Sequence, residues 1–209
     1  MTTICTGCES ALRSRLVCED CGTLQTNAES PTPFESFGMA ASQQVDLAAL
    51  KKRLLKLSRA MHPDFFGNAD EDTQQLAIDN TAELNAAFEL LKNDLSRADW
   101  LVRSLGGPDE NAERQMPQAF LIEVMEWNEL LEEAQEAPAD APKRHEAAEL
   151  GKTLQAERAN ILQGIDQQLT PLPEQGAGLL TEVRKQMNAV RYVDRALTQI
   201  KELAIQANH

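Results

Sequence analysis

The sequence predicts an all-α protein with a small cysteine-rich ribbon at its N-terminus. Aromatic residues make up only 4% of the 209 residues, whereas the strands of a β-sandwich favour aromatic and β-branched side chains. Ala, Leu, Glu and Gln are abundant, and these residues favour helices. All four cysteines lie within the first 21 residues, so they have to be explained as one local unit.

The charge balance and the hydropathy pattern limit the kinds of partner that the chain can have. It contains 20 basic and 33 acidic residues, a net charge of −13, so nucleic acid is not expected as a partner. No apolar run approaches the ~20 residues that span a bilayer, and residues 1–9 lack the features of a signal peptide. We therefore expect a soluble protein with no membrane partner. The expected compartment is the cytoplasm, or the mitochondrial matrix if this is a processed eukaryotic protein.

The cysteines form two CxxC turns separated by nine residues: Cys5 with Cys8, and Cys18 with Cys21. Four thiolates in this arrangement can converge on one tetrahedral ion. The spacing therefore predicts one structural Zn²⁺ per chain in a ribbon over residues 1–29. A redox-active dithiol would use a single CxxC at the start of a helix, and no helix signal is present here. Iron in a rubredoxin-like site is not distinguished from zinc by spacing.

Helical patterns follow a polar, Pro-containing stretch, residues 27–33, that predicts a linker. Between residues 46 and 61 the apolar side chains recur every three or four positions, which predicts one amphipathic helix. A second such helix follows a polar loop, and Gly106-Gly107-Pro108 ends the region. We expect this domain to cover residues 30–108. The apolar positions of its two helices are Leu47, Leu50, Leu54, Leu57 and Met61, then Leu84, Ala87, Phe88 and Leu91.

The first of these helices carries a basic face opposite its apolar stripe. Lys52, Lys56 and Arg59 lie on this face, and no acidic residue intervenes between Leu47 and Pro63. The tripeptide His62-Pro63-Asp64 follows at once, where the proline forces the chain out of the helix. A catalytic His62 is not favoured, because no serine or cysteine nucleophile has a matching context. Standing alone, the tripeptide would predict only a Pro-directed turn.

Residues 109–209 are predicted to form a three-helix domain, with breaks at residues 137–142 and 170–178. In its first helix Ile122 and Met125 project away from the core stripe and lie among glutamates. In its third helix, over about residues 179–207, Tyr192 points away from the apolar stripe. The two core stripes are Phe120, Val124, Trp127 and Leu131, and Val183, Met187, Val190, Leu197, Ile200 and Ala204.

This region resembles a J domain. The resemblance lies in the basic helix, the His-Pro-Asp tripeptide and the second helix, which contains the sequence LNAAFELL over residues 84–91. The resemblance implies an antiparallel helical hairpin that docks on a heat-shock-class ATPase of the HscA or DnaK type and stimulates its ATP hydrolysis. Many J domains place a lysine after the tripeptide, whereas this sequence has Phe65-Phe66. The docking residues that the resemblance implies are His62, Pro63, Asp64, Lys52, Lys56 and Arg59.

Nearly the whole chain resembles the iron–sulfur cluster assembly J-protein co-chaperone of the HscB type. The resemblance lies in FESFGM (34–39), SRADWL (96–101) and AFLIE (119–123), and in the N-terminal Cys₄ ribbon. It implies an adaptor that is not an enzyme, whose first C-terminal helix binds an IscU-type iron–sulfur scaffold through apolar residues rimmed by acids. The implied scaffold-binding residues are Leu121, Ile122, Met125, Glu126, Glu129 and Glu133, with Tyr192 adding to the surface.

Two other functions make different demands on the sequence. A zinc-ribbon adaptor of another pathway, such as transcription, would carry basic and aromatic residues on the ribbon, and only Arg13 and Arg15 are present there. A metal-dependent hydrolase would need a histidine or carboxylate ligand set with an open position, and none is apparent.

Overall fold

The computed structural model describes residues 3–138 and 141–206, and within these ranges it contains helices and no named strand. A 3-10 turn, Pro63–Phe66, joins α2 to α3. The predicted all-α class is confirmed. No helix in the described ranges is long and apolar enough to cross a membrane. The helices are α1 (Pro33–Phe37), α2 (Leu47–Ala60), α3 (Glu71–Lys92), α4 (Asp94–Ser104), α5 (Gln118–Glu136), α6 (Pro142–Gln168) and α7 (Leu179–Gln206).

The chain divides into two compact units, Met1–Arg97 and Ala98–His209. The first contains the cysteine ribbon together with α1, α2 and α3, and the second contains α5, α6 and α7. The three domains expected from the sequence, with boundaries after residues 29 and 108, stay a prediction.

The ribbon consists of two similar loops, each containing one CxxC pair. An isolated antiparallel bridge flanks each loop, Ile4 with Ala11 and Val17 with Leu24. Inside the loops, the N–H of Glu9 donates to the Cys5 carbonyl at 3.1 Å, and the N–H of Gly22 donates to the Cys18 carbonyl at 2.9 Å. Glu9 and Gly22 both adopt a positive φ, 62° and 78°. The two CxxC pairs are therefore presented by the same backbone geometry.

The ribbon is hydrogen-bonded to the helices of its own unit. The Ser14 hydroxyl donates to the Ser36 carbonyl at 2.7 Å. The side-chain amide of Asn80, in the middle of α3, donates to the carbonyls of Leu16 and Gln25 at 2.8 and 3.1 Å. These bonds join the ribbon to α1 and to α3.

The stretch that the sequence predicts as a linker has specific contacts at both ends. The Asn27 amide donates to the Arg15 carbonyl at 2.8 Å and accepts from the Arg15 guanidinium at 3.1 Å. Thr32 is the N-cap of α1, where its hydroxyl accepts from the Glu35 N–H at 3.2 Å. The ribbon therefore continues directly into α1.

The end of α1 shows how closely the ribbon approaches the helix. Gly38 lies in the left-handed region with a φ of 62°, and a Cβ built there would be 2.0 Å from the Arg13 carbonyl oxygen. Only glycine fits this turn, because any side chain would meet both the unfavourable backbone angle and the ribbon backbone.

In the antiparallel hairpin of α2 and α3, Asp46 caps α2 by accepting from the backbone N–H groups of Ala48 and Ala49. Leu50, Leu57 and Met61 are fully buried as predicted, but Leu47 is exposed and Leu54 is only partly buried. Leu47 is the first residue of α2, and the buried stripe begins only at Leu50, so it is shorter than the sequence pattern. In α3 the predicted Leu84, Ala87 and Leu91 are buried and Phe88 is partly buried.

The second unit is built around the core of α5, α6 and α7, and the three helices lie where the sequence breaks predict them. Phe120 and Trp127 of α5 pack edge to face with ring centroids 5.1 Å apart. In α7, Leu203 is buried and the predicted Ala204 is exposed. The buried core residues are Phe120, Val124, Leu131, Ala134, Ala147, Leu154, Ala189, Val193, Ala196 and Leu203.

An arginine is buried completely in this unit. Arg184 of α7 donates to the Asp99 carboxylate at 2.6 Å and to the Pro108 carbonyl at 2.9 Å. It fastens α7 to α4 and to the loop that follows α4. The apolar pattern of α7 gave no indication of this contact.

Candidate functional site

The four cysteines predicted as metal ligands come together in the ribbon. Their Sγ atoms all lie within 4.8 Å of one another, with 3.6 Å between Cys5 and Cys21 and 3.7 Å between Cys8 and Cys18. A tetrahedral ion with metal–sulfur bonds of about 2.3 Å separates its sulfurs by about 3.8 Å. All four thiols are free of disulfides. The geometry therefore fits a metal site with four thiolate ligands.

The surroundings of the sulfurs affect their ionisation unequally. Hydrogen bonds with the Thr23 hydroxyl, 3.1 Å away, and with the Thr23 backbone lower the pKa of the Cys21 thiol to about 6. The backbone N–H groups of Cys21 and Asp20 favour the Cys18 thiolate, but burial and the neighbouring thiols outweigh them and raise the pKa of Cys18 to about 11. Since the thiolate is the form that binds metal, a cation among the four sulfurs would favour deprotonation of all of them.

The His62-Pro63-Asp64 tripeptide lies at the surface, in the turn between α2 and α3. The His62 Nδ1 accepts from the Asp64 N–H at 3.3 Å and is 3.5 Å from the Asp64 carboxylate. Both side chains are exposed, and Phe65 beside them is 75% exposed. The turn is therefore shaped by its own local hydrogen bond, and its polar groups face outward.

The basic face of α2 is partly occupied by the ribbon. Lys52 and Arg59 are exposed, but the Lys56 ammonium binds the Glu19 carboxylate at 2.7 Å. The other Glu19 oxygen binds Arg53, also at 2.7 Å, and the Glu19 side chain is only 3% exposed. Of the three predicted basic docking residues, Lys56 thus has an acidic partner from the same unit.

The sequence did not identify Glu19 or Arg53 as part of this face. Glu19 lies 34 positions before Arg53 and is one of many acids in the chain, so no local pattern pointed to it. Burial raises the pKa of the Glu19 carboxyl, but the hydrogen bonds from Lys56 and Arg53 outweigh burial and hold it below the ordinary value. Leu55 adds an exposed apolar side chain to the same surface, in a shallow depression that Lys52 and Arg59 also line.

The predicted scaffold-binding residues of α5 form an apolar patch in an acidic surface. Leu121 is exposed, and Ile122 and Met125 are 65% and 74% exposed. A shallow groove on this face is lined by Ile122, Met125, Glu126, Asn128, Glu129 and Glu132. The outward direction that the helix periodicity predicts for Ile122 and Met125 is therefore observed.

Two of the predicted scaffold-binding residues have partners of their own. The Glu133 carboxylate is 2.9 Å from the Lys143 ammonium, and this contact, together with Glu146, raises the pKa of Lys143. Tyr192, on α7, is exposed, and the Arg195 guanidinium lies 5.4 Å from the centroid of its ring. Glu132, which the sequence analysis did not select, lines the groove.

Comparisons with known proteins show similarity of this chain to one family. Residues 116–201 match the family model described as the HSCB C-terminal oligomerisation domain. A co-chaperone protein HscB homolog from Shewanella loihica is 34% identical over 154 residues, which cover 72% of this chain and 88% of that protein. The homolog from Haemophilus ducreyi is 30% identical over 173 residues, which cover 82% of this chain and 94% of that protein.

Solved structures show the same fold. The crystal structure of human co-chaperone protein HscB superposes with a TM-score of 0.74 at 24% identity, covering 98% of this chain and all of that one. Chaperone HscB from Vibrio cholerae gives a TM-score of 0.68 at 22% identity and covers 84% of this chain and 99% of that one. The coverage of the human structure extends the likeness to the ribbon.

Proposed function

This chain belongs to the HscB family of co-chaperones, and we propose that it delivers an IscU-type iron–sulfur scaffold protein to a heat-shock-class ATPase of the HscA or DnaK type. It stimulates ATP hydrolysis by that ATPase during iron–sulfur cluster assembly and catalyses no reaction of its own. The proposed domains are the ribbon (1–29), the J domain (30–108) and the scaffold-binding domain (109–209), and the proposed location is the cytoplasm.

The observation that carries this proposal is the exposed apolar patch on α5. Ile122 and Met125 are exposed to water, whereas Phe120, Val124 and Leu131 on the opposite side of the same helix are buried in the core. Apolar side chains grouped on a polar surface are typical of sites that bind another protein. Such residues supply most of the binding energy at the centre of an interface, while charged residues at its rim mainly speed encounter and select the partner. We therefore assign the scaffold to this patch, with Leu121, Glu126, Glu129 and Glu133 beside it on α5. Tyr192, on α7, is proposed to add to the scaffold-binding surface.

The ATPase is assigned to the other unit, at the turn between α2 and α3. His62 and Asp64 are exposed there, and Lys52 and Arg59 extend the surface along α2. These cations suit an acidic surface on the ATPase. Pro63 begins the 3-10 turn and, with the His62 to Asp64 hydrogen bond, holds the two polar side chains in place. Lys56 can join this interface when it exchanges its Glu19 partner for an acid of the ATPase.

The metal of the ribbon is proposed to be a single structural Zn²⁺ held by Cys5, Cys8, Cys18 and Cys21. A closed set of four thiolates leaves no coordination position for a substrate, which fits a structural role. The ribbon has few apolar side chains, so the ion supplies much of the free energy that keeps it folded. Its folded form presents Ser14, Leu16 and Gln25 to α1 and α3.

The experiment that tests the scaffold assignment compares two kinds of variant in α5. The triple change Leu121→Ala, Ile122→Ala and Met125→Ala should weaken scaffold binding strongly, since each anchor contributes on the order of 1–2 kcal/mol. Thermal stability should change little, because the three side chains are exposed. Phe120→Ala should instead destabilise the unit by about 3–5 kcal/mol, because it leaves a cavity in the core.

Calorimetric titration with the scaffold, paired with melting curves, separates binding from stability. Ile205→Ala is the matched control, since Ile205 is an exposed apolar residue on α7, and it should leave the affinity unchanged. A triple variant that binds the scaffold normally, or that unfolds like Phe120→Ala, would show that these residues serve packing and not the scaffold.

A further inference from the structure

A shallow cavity in the second unit has a charge opposite to that of the chain as a whole. Its volume is about 270 Å³, and it lies between α7 and the loop that precedes α5. Three arginines, Arg114, Arg191 and Arg195, line it together with a single acid, Glu110. In a chain with a net charge of −13, a cavity with this excess of cations is a specific local feature.

Two of the three arginines are available to a ligand. Arg191 is paired with Glu110 and lies 3.7 Å from Asp99. Arg114 bonds the neutral Asn111 side chain at 3.3 Å, and Arg195 stacks on Tyr192. Among the residues that the structure describes, neither Arg114 nor Arg195 has a carboxylate within ion-pair distance. Both are exposed, so an incoming anion can reach them.

A buried acceptor in the wall of the cavity is also unsatisfied. Asn188 is 5% exposed, and its Nδ2 donates to the carbonyls of Glu113 and Gln115, both at 2.9 Å. These two bonds fix which end of the amide is nitrogen, so Oδ1 must be the acceptor. Within the described part of the chain, Oδ1 has no hydrogen-bond partner. A buried acceptor without a donor is costly, so a ligand that brings an N–H to this position is favoured.

We propose that this cavity binds an acidic side chain of the scaffold protein together with a backbone N–H beside it. The carboxylate pairs with Arg114 and Arg195, and the N–H donates to Asn188 Oδ1. A small inorganic anion would satisfy the arginines but would leave the asparagine acceptor unpaired. Tyr192, which belongs to the proposed scaffold surface, lines the same cavity. The inference rests on the proposed function and adds to it a contact of defined chemistry.

The test is calorimetric titration of the full-length protein with the metal-free IscU-type scaffold of the same organism. Arg114→Gln and Arg195→Gln should each weaken binding by about tenfold, as expected for the loss of a charged contact at an interface. The loss should shrink as the salt concentration rises, because the charges are partly screened. Lys201→Gln is the control, since it removes the same charge from an exposed position on α7, and it should change the affinity less than twofold.

A double-mutant cycle then identifies the partner group. Each exposed Asp and Glu of the scaffold is changed to Ala, and each variant is titrated against wild type and against Arg195→Gln. One scaffold acid should show strong coupling, so that its loss and the loss of Arg195 together cost little more than either alone.

The outcomes separate this inference from the proposed function. If both arginine variants bind the scaffold as tightly as the wild type does, the cavity is not part of the interface. The inference is then wrong, but the proposed function is not affected. If the variants bind weakly but no scaffold acid is coupled to Arg195, the acidic side chain is the wrong ligand. If the wild type does not bind the scaffold at all, the proposed function is also wrong.

Discussion

Glu19 is the residue whose loss should most directly loosen the ribbon from α2. Its two carboxylate oxygens each lie 2.7 Å from a cation, one from Arg53 and one from Lys56, and its side chain is 3% exposed. The change Glu19→Gln keeps the size of the side chain and removes its charge. We expect the ribbon to open more often while the rest of the unit keeps its fold.

The expected loss of stability follows from how deeply the Glu19, Arg53 and Lys56 side chains are buried. Breaking a fully buried ion pair by removing one partner costs about 3–5 kcal/mol, whereas an exposed pair contributes about 0–1 kcal/mol. Here the acid is buried, but the Arg53 and Lys56 side chains are 24% and 62% exposed and regain water. The glutamine carbonyl also keeps one hydrogen bond. We therefore expect a loss of about 1–3 kcal/mol, which corresponds to about 5- to 150-fold more frequent opening.

The assay has to report on the ribbon itself. Both tryptophans, Trp100 and Trp127, lie in the unit Ala98–His209, so their fluorescence follows the other unit. Hydrogen exchange of the ribbon amides, measured by mass spectrometry, gives the local opening free energy. The matched control is Asp20→Asn, because Asp20 is adjacent and acidic but 52% exposed in its pair with Arg13. Equal exchange in the two variants would refute the view that Glu19 holds the ribbon.

Three further predictions test the other elements. His62→Gln should abolish stimulation of the ATPase in single-turnover hydrolysis but leave scaffold binding intact, and unchanged stimulation would contradict the J-domain assignment. Metal analysis should find about one zinc per chain in the wild type and none in the double variant Cys5→Ser, Cys8→Ser. The tryptophan-detected melting of the second unit should be the same in both proteins. Gly38→Ala should destabilise the first unit by about 2 kcal/mol or more, as measured by hydrogen exchange. The new Cβ would lie 2.0 Å from the Arg13 carbonyl oxygen, at a residue in the left-handed region. Unchanged exchange would contradict the close approach of the ribbon backbone to Gly38.

The parts of the fold that the sequence predicted well depend on local signals. The breaks at residues 137–142 and 170–178 are rich in proline or glycine, and α5, α6 and α7 end and begin beside them. The CxxC pairs likewise determine their own loops, because both ligands of a pair lie within four residues. Such signals act over one helical turn or one hairpin, so no distant contact is needed to interpret them.

The parts that the sequence did not predict depend on partners far apart in the chain. Arg184 is completely buried, and its acid, Asp99, lies 85 positions away. In a hydropathy pattern Arg184 is simply a polar residue of an amphipathic helix, and nothing near it in the sequence points to its partners Asp99 and Pro108. Asn80 presents the same difficulty, because its amide is buried against ribbon carbonyls more than 50 positions away.

In the proposed complex, the apolar patch on α5 and the arginine cavity beside Tyr192 require different chemical groups on the scaffold. Burial of Ile122 or Met125 would contribute about 1.5–3 kcal/mol each to stability. Because both side chains are exposed to water, the folded chain alone does not gain this free energy. Glu126 and Glu129 next to them repel acids, so the partner surface that covers the patch has to be apolar with neutral or basic groups around it. In the proposed contact, Arg195 instead pairs with an acid. A partner that satisfies both must carry the two kinds of group in a fixed arrangement, and it can then bind in only one orientation. Reversing the charge of Arg195 should therefore weaken binding more than neutralising it, whereas Glu126→Gln should mainly slow association.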